Sequence, residues 1–164
     1  MNAATLEPGS LTRFPRLPQR GRILIVDDEP VFRAMVSAIL IDQSWEVMNA
    51  SSAEEAAELL KYCAWHQKKV DVVILDLILP GGMSGMDALP VLGGIQLNLR
   101  FVASSGFFAG EDSWASCLSL GFHDILPKPY SASALTGVIE RNVSALGTIA
   151  DRGGAMAPSS MQAA

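Results

Sequence analysis

Strand-like and helix-like patterns alternate along the middle of the chain. Five short segments have the length and residue types of strands, at 23–26, 45–50, 72–75, 100–103 and 123–126. The runs at 23–26 and 72–75 are apolar at every position, which is typical of parallel strands covered on both faces. Between the five segments, apolar residues recur at helical spacing. The pattern predicts strand and helix repeated five times, an α/β fold with helices on both sides of a parallel sheet.

The helices are marked by spacing and by caps. Apolar residues recur at i, i+3, i+4, i+7 and i+8 from Phe32, which predicts the first helix. Ser52, with Glu55 three residues later, forms a capping box at the start of the second helix. Pro90 and the following pair of glycines fall inside the third helix. Because proline removes a backbone donor and crowds the preceding turn, we expect this helix to be short, kinked or frayed.

The two ends of the chain lack these patterns. Residues 1–20 contain three prolines and scattered polar residues, and residues 148–164 are mostly small and polar. Neither end offers apolar surface for burial, so we expect disordered tails at 1–20 and 148–164. The folded domain then covers residues 21–147. The 17 residues that follow it are too few for a second domain, which predicts a protein without an attached output domain.

Composition and charge narrow the function classes. Hydrophobic residues make up 49% of the chain, enough for a core, but no apolar run is long enough to span a bilayer. Two cysteines without metal-ligand spacing, and no signal peptide, favour a reducing cytoplasm. Residues 23–147 hold seven basic and 15 acidic side chains. This acidic domain disfavours nucleic-acid binding, and we expect neither a nucleic acid nor a membrane as partner.

Chemically active side chains follow the predicted strands at the point where each strand ends. Ligand sites in parallel α/β sheets form outside this carboxyl edge, so these side chains are expected to lie together. They are carboxylates, hydroxyls and one ammonium, in chain order Asp27, Asp28, Glu29, Asp76, Ser104, Ser105 and Lys128.

This combination points to phosphoryl chemistry. Carboxylates held close together repel one another unless a cation is present, and oxygen ligands without His or Cys suit Mg²⁺. A carboxylate can attack phosphorus and hold an aspartyl phosphate. A metal ion, a lysine and a hydroxyl can then stabilise the charge on the transferring group. The set contains every part of an aspartyl-phosphorylation site.

Four segments resemble the signature segments of the receiver domain of two-component response regulators. They are RILIVDDEP at 22–30, DLILPGGMSG at 76–85, SSG at 104–106 and LPKPY at 126–130. The resemblance covers nearly the whole folded part, in the right order and spacing. It implies a flavodoxin-like fold, with a five-stranded parallel sheet in the order 2-1-3-4-5 and five helices on both faces.

The resemblance also implies a metal site. Asp76 would be the phospho-acceptor, and Mg²⁺ would be the cofactor. Asp28, Asp76 and the backbone carbonyl of Ile78 would ligate the ion directly, and Asp27 would bind it through water.

Further roles follow from the same resemblance. Lys128 and Ser105 would be catalytic, and the peptide bond before Pro129 would be cis. Ser105 would also act as a switch residue, with Ser104 the weaker candidate for the hydroxyl. The position three residues before the lysine, an aromatic switch in many receivers, is Ile125 here. Because β-branched residues in strands are stiff, we expect the switch to depend on Ser105 and the segment 106–118, with little movement of Ile125.

The function implied is that of a stand-alone receiver. It would accept a phosphoryl group from a sensor histidine kinase or a histidine phosphotransfer protein. It would pass the signal by docking to a downstream protein or by phosphorelay. It would catalyse only its own phosphorylation and dephosphorylation, so it would not be an enzyme toward other substrates. Homodimers would form through a face made by the fourth helix, fifth strand and fifth helix.

Three other interpretations remain for comparison. A phosphatase of the haloacid dehalogenase type needs a second Asp two residues after the nucleophile, but this chain has Ile78 there. A nucleotide-binding enzyme is disfavoured because neither G-x-G-x-x-G nor a P-loop is present. The third interpretation is a receiver-like scaffold that binds partners without phosphorylation. The acidic, hydroxyl and lysine positions argue against it.

Overall fold

The computed structural model describes residues 20–106 and 111–153, with side chains for 20–106 and 114–146. The sheet contains β1 (Arg22–Val26), β2 (Glu46–Ala50), β3 (Val72–Asp76), β4 (Arg100–Ser105) and β5 (Asp124–Pro127). The helices are α1 (Pro30–Asp42), α2 (Ala53–Trp65), α3 (Gly85–Gly93), α4 (Glu111–Leu120) and α5 (Ala132–Gly153).

The five strands are parallel and lie in the order β2-β1-β3-β4-β5. The predicted fold class and strand order are therefore confirmed. Since all strands run the same way, the sheet has one edge where strands begin and one where they end. We call these the amino edge and the carboxyl edge.

Alternate residues of each strand feed two separate cores. Leu24 and Val26 of β1 face the core shared with α2, α3 and α4, whereas Ile23 and Ile25 face the core shared with α1 and α5. All four of these side chains are almost fully buried. Each apolar side chain of this size contributes roughly 1.5–3 kcal/mol when it leaves water. Because both faces of each central strand are buried, the strands cannot slide along their axes, and the residues that follow them are held in place.

The helix signals in the sequence are borne out. The Ser52 hydroxyl accepts a hydrogen bond from the Glu55 N–H at the start of α2. Helix α3 has nine residues with Pro90 inside it, so it is short, as predicted. The start of α3 also lies very close to β3. A Cβ atom built on Gly85 would stand 2.0 Å from the carbonyl oxygen of Asp76, so glycine is needed there.

The ends of the domain differ in detail from the sequence expectation. Helix α5 continues to Gly153, past the boundary expected at residue 147. Residues 1–19 and 154–164 lie outside the described residues, so the disordered tails stay a prediction. Strand β5 begins one residue later than expected, at Asp124. None of the helices in the described part of the chain combines the length and apolar character needed to cross a membrane.

Candidate functional site

Three carboxylates meet at the centre of the carboxyl edge. Strands β1 and β3 are neighbours, so Asp27 and Asp28, which follow β1, come close to Asp76, the last residue of β3. One oxygen of each carboxylate lies within 4.8 Å of one from each of the others. The strand ends thus bring together the three acids that the sequence singled out.

Lys128 reaches this cluster from the end of β5. Its Nζ donates hydrogen bonds of 2.6 Å to Asp27 Oδ2 and 2.6 Å to Asp76 Oδ2. Burial by itself lowers the pKa of the Lys128 ammonium, but these two hydrogen bonds outweigh it and raise the pKa above its ordinary value. The Lys128 N–H donates to the carbonyl of Ser105, and the Lys128–Pro129 peptide bond is cis.

The three carboxylates have different surroundings. Asp27 is 1% exposed, and its second oxygen accepts a hydrogen bond from the Glu29 N–H. The second oxygen of Asp76 accepts a 2.9 Å hydrogen bond from the Ile78 N–H. Asp28 is exposed. Asp27 is therefore held on both oxygens by protein groups, whereas Asp28 faces the solvent and is free to approach a ligand.

A surface cavity of about 390 Å³ opens over this cluster. It is large enough for a phosphoryl group, a hydrated cation and part of a partner side chain. The cavity is lined by Asp28, Glu29, Asp76, Ile78, Pro80, Ser105, Gly106 and Lys128.

The two serines at the end of β4 have different positions. Ser105 lines the cavity, whereas Ser104 does not. Ser104 Oγ and the Tyr130 hydroxyl are buried, and neither reaches hydrogen-bonding geometry with a described residue. Burial raises the pKa of Tyr130, and the nearby Ser104 hydroxyl lowers it by a smaller amount. The geometry thus favours Ser105 as the hydroxyl that meets a ligand.

Ile125 lies away from the cavity. Its side chain is partly buried and packs against the core on the α2, α3 and α4 side. Its N–H donates a 3.0 Å hydrogen bond to the side chain of Asp124. The predicted switch segment 106–118 is described only at Gly106 and from residue 111 onward, because residues 107–110 lie outside the described residues.

Sequence reasoning missed two aromatic neighbours of Lys128. The ammonium lies 4.3 Å from the centroid of the Phe32 ring. Tyr130 packs edge-on against that ring, at 5.4 Å between centroids and 75° between planes. In the sequence, Phe32 is one of the apolar residues at helical spacing that predict the first helix, and this spacing gives no sign of a contact with a lysine.

The donor set fits a small divalent cation. Among the described residues, three carboxylates surround one ammonium, and the Arg33 guanidinium donates to the backbone carbonyl of Asp27, so three negative charges face two positive ones. All donors are oxygens, which suits Mg²⁺ better than a metal that prefers nitrogen or sulfur. A cation at this position would reduce the mutual repulsion of the carboxylates.

Comparison with known proteins agrees with this geometry. The sequence model of the response regulator receiver domain matches residues 23–140. The probable transcriptional regulatory protein TcrX of Mycobacterium tuberculosis is 36% identical over 109 residues, which are 66% of this chain and 44% of that protein. A protein-glutamate methylesterase/protein-glutamine glutaminase of Rhodospirillum centenum is 30% identical over 140 residues, 81% of this chain and 34% of that protein. The chain therefore spans less than half the length of these curated relatives.

A solved structure agrees at the level of the fold. The CheY-like receiver domain protein of Methanospirillum hungatei superposes with a TM-score of 0.68 at 22% identity. The match covers 79% of this chain and 98% of that one.

The family has a general role. Receiver domains serve phosphorylation-based signalling, interact with histidine kinases or phosphotransfer proteins, and generally bind Mg²⁺ at an acidic pocket. They are not enzymes in themselves, although some relatives of this chain are methylesterases. With the family model covering most of the chain and the acid cluster at the expected edge, the chain belongs to the response regulator receiver domain family.

Proposed function

We propose that the chain accepts a phosphoryl group on Asp76 from the phosphohistidine of a sensor histidine kinase or a phosphotransfer protein. One observation carries the proposal. Asp76 lines an open cavity, and the same carboxylate lies beside a partly buried lysine and two further acids. A lone aspartate after a strand caps a turn, but it does not gather these partners.

The proposed metal ligands follow from the surroundings of the carboxylates. Asp28 and Asp76, with the backbone carbonyl of Ile78, would hold Mg²⁺ directly, and Asp27 would hold it through water. Asp28 and Asp76 line the cavity, whereas Asp27 is almost fully buried and does not, and this difference supports the order. When bound, the ion would neutralise charge on the carboxylates and on the phosphoryl oxygens.

The protein groups would then carry the transfer itself. A carboxylate oxygen of Asp76 attacks phosphorus and forms a P–O bond while the P–N bond to the donor histidine breaks. The electron pair of that bond stays on the imidazole nitrogen. Charge spreads over the three phosphoryl oxygens in the transition state. Lys128, already 2.6 Å from Asp76, is placed to pair with one of these oxygens.

Ser105 would report the change of state. Its position in the cavity lining allows the hydroxyl to donate to a phosphoryl oxygen. Ile125 has neither a hydroxyl nor a ring, and a β-branched residue in a strand is stiff at χ1, so we expect no large rotamer change there on phosphorylation. We therefore assign the switch to Ser105 and the segment that follows it.

We propose two routes by which the phosphorylated chain would pass on the signal. Phosphorylation would alter docking to a downstream protein, or the group would pass onward in a phosphorelay. A homodimer through α4, β5 and α5, a cytoplasmic location and action without an output domain stay predictions. The curated relatives extend well beyond the matched region.

The mass of the intact chain tests the proposal. Incubation with acetyl phosphate and Mg²⁺ is expected to add one phosphoryl group to the wild type, and chelation of Mg²⁺ should prevent the addition. Asp76→Asn should lose the addition. Asp87→Asn, which changes an exposed acid in the first turn of α3, should keep it and serves as the matched control.

Two results would count against the proposal. If the Asp76→Asn variant gains phosphoryl mass at the wild-type rate, the acceptor is misassigned. If the wild type gains none, the phosphorylation-independent scaffold becomes the better interpretation.

A further inference from the structure

One contact of Lys128 has no part in the transfer described above. Its ammonium lies 4.3 Å from the centroid of the Phe32 ring, well within the range at which an aromatic face attracts a cation. The Lys128 side chain is 16% exposed. Because so little water screens it, the attraction to the ring is stronger than it would be at an exposed site.

The position of the Phe32 ring is set by packing against the core and against Tyr130, not by contacts with the carboxylates. Phe32 is the third residue of α1 and packs against the core on the α1 and α5 side. Tyr130 contacts the same ring edge-on, from the segment that follows β5. Offset and edge-on aromatic pairs are favourable geometries, so the ring is braced from two elements.

The other partners of Lys128 must change during the proposed reaction. In the structure, the ammonium donates to one oxygen each of Asp27 and Asp76. Once Asp76 carries a phosphoryl group, the negative charge of its carboxylate lies mainly on the phosphoryl oxygens, so we expect the ammonium to exchange its hydrogen bond with Asp76 for one with a phosphoryl oxygen. The ring face requires no such exchange, since neither phosphorylation nor a cation bound by carboxylates alters it.

We propose that Phe32 is a positioning residue for the phosphoryl-binding lysine. Its ring face keeps the Lys128 ammonium directed at the cavity while the carboxylates change partners. This inference rests on the proposed function, which supplies the reason for the exchange. It assigns to a core residue of α1 an electrostatic role that an aliphatic side chain of similar volume cannot fill.

Graded fluorination of the ring separates this role from packing. Phenylalanine with one, two or three ring fluorines at position 32 nearly keeps its shape but has a progressively weaker negative face. The measurement is the affinity for beryllofluoride, a phosphoryl mimic, in the presence of Mg²⁺. We expect a stepwise loss that reaches about three- to tenfold for the trifluoro ring and for Phe32→Leu. The same fluorinated residue at Phe101, a buried ring in the opposite core, should leave the affinity unchanged.

A second measurement starts from the protein without metal or phosphoryl mimic. The ε-methylene protons of Lys128 lie beside an aromatic face, so their NMR signals should be shifted upfield by the ring current. Phe32→Leu should remove the shift, and substitution at Phe101 should not. On addition of Mg²⁺ and beryllofluoride, the wild type should keep the upfield shift, because the ring is the partner that is retained.

The outcomes distinguish the two proposals. If the wild type binds beryllofluoride and the fluorinated series is flat, the role of Phe32 is overturned and the proposed function stands. If the upfield shift disappears on binding, the ring is not a retained partner and the inference is again overturned. If the wild type does not bind beryllofluoride, the proposed function fails, and this inference fails with it.

Discussion

Charged side chains gather at both edges of the sheet, but they are balanced differently. At the amino edge, Arg22 pairs with Glu46 at 2.6 Å. Farther along this edge, Asp124 accepts hydrogen bonds from Arg141 at 3.0 Å and Asn142 at 3.2 Å. At the carboxyl edge, the described residues place three carboxylates around the ammonium of one lysine, with the Arg33 guanidinium beside them on the backbone carbonyl of Asp27, so negative charge is in excess.

The difference indicates what each edge is for. Charges that are paired nearly one to one need no further partner, so we infer that the charged side chains of the amino edge stabilise the fold. Excess negative charge is unfavourable in the isolated fold and becomes favourable when a cation or a cationic partner arrives. The carboxyl edge is therefore the place where the fold retains unbalanced charge for a ligand.

The largest expected effect comes from the same substitution made at both edges. The Asp124 carboxylate accepts hydrogen bonds from Arg141 and Asn142. Asp124→Asn removes its negative charge and replaces one acceptor oxygen with a donor NH₂ group. We expect a loss of about 2 kcal/mol of unfolding free energy, or on the order of 8 °C in Tm. Asp76→Asn weakens the hydrogen bond from Lys128 but also relieves repulsion from Asp27 and Asp28, so the two effects should offset and stability should change by less than about 0.5 kcal/mol or increase.

Chemical denaturation of both variants without Mg²⁺ measures this comparison. Equal destabilisation by the two substitutions would contradict it, because the carboxyl edge would then be as well balanced as the amino edge.

Mg²⁺ should stabilise the chain through the carboxyl edge alone. At about five times its Kd, the ion should add about 1 kcal/mol to the unfolding free energy of the wild type. Asp28→Ala should lose most of this gain, and Asp27→Ala should lose less because Asp27 is almost fully buried and does not line the cavity. Asp124→Asn should keep the full gain despite its lower starting stability.

Titration of Mg²⁺ against Tm gives the gain for the wild type and for the three variants. Equal losses in the Asp27 and Asp28 variants would remove the proposed order of direct and water-mediated ligands.

Most side chains of the carboxyl edge could be predicted from the sequence, because they belong to residues that directly follow strands. Apolar runs fixed the strand ends, and parallel topology brought those ends together. The contact between Phe32 and Lys128 could not be predicted from the sequence, because an aromatic residue that faces a lysine has the same helical spacing as one that faces the core. The amino edge was hidden for another reason. Its partners, such as Asp124 and Asn142, come from different elements and have no common spacing.

A smaller effect is expected from pH at the amino edge. Partial burial, and secondly the charge of Arg100, lower the pKa of His123 below its ordinary value of 6.5. As the pH falls through 6.5, the unfolded chain binds a proton that the folded chain still refuses, so stability falls and then levels below the folded pKa. The loss should stay under about 1 kcal/mol, because the ring is also exposed and screened.

Denaturation between pH 7.5 and pH 5 should show this loss in the wild type and not in His123→Gln (roughly the range over which an ordinary histidine changes charge). His66→Gln, at the exposed C-cap of α2, should behave like the wild type. Stability that rises as the pH falls in the wild type would contradict the sign.

The smallest expected effect is the response of Ile125 to phosphorylation. Ile125 lies in β5, between Asp124 at the amino edge and Lys128 at the carboxyl edge. Its N–H is bonded to Asp124, and Asp124 is anchored to α5 through Arg141 and Asn142. This anchor belongs to the balanced edge, which has no reason to change when the carboxyl edge is phosphorylated. A conformational shift needs contacts that differ between the two states, and we expect such contacts at Ser105, which lines the cavity, rather than at Ile125, which does not. With Mg²⁺ and beryllofluoride, the amides of residues 105–118 should therefore shift strongly in NMR spectra, whereas the Ile125 methyl signals should barely move. Large shifts of the Ile125 methyls with unmoved 105–118 amides would mean that β5 responds as a whole, and that the amino edge is part of the switch.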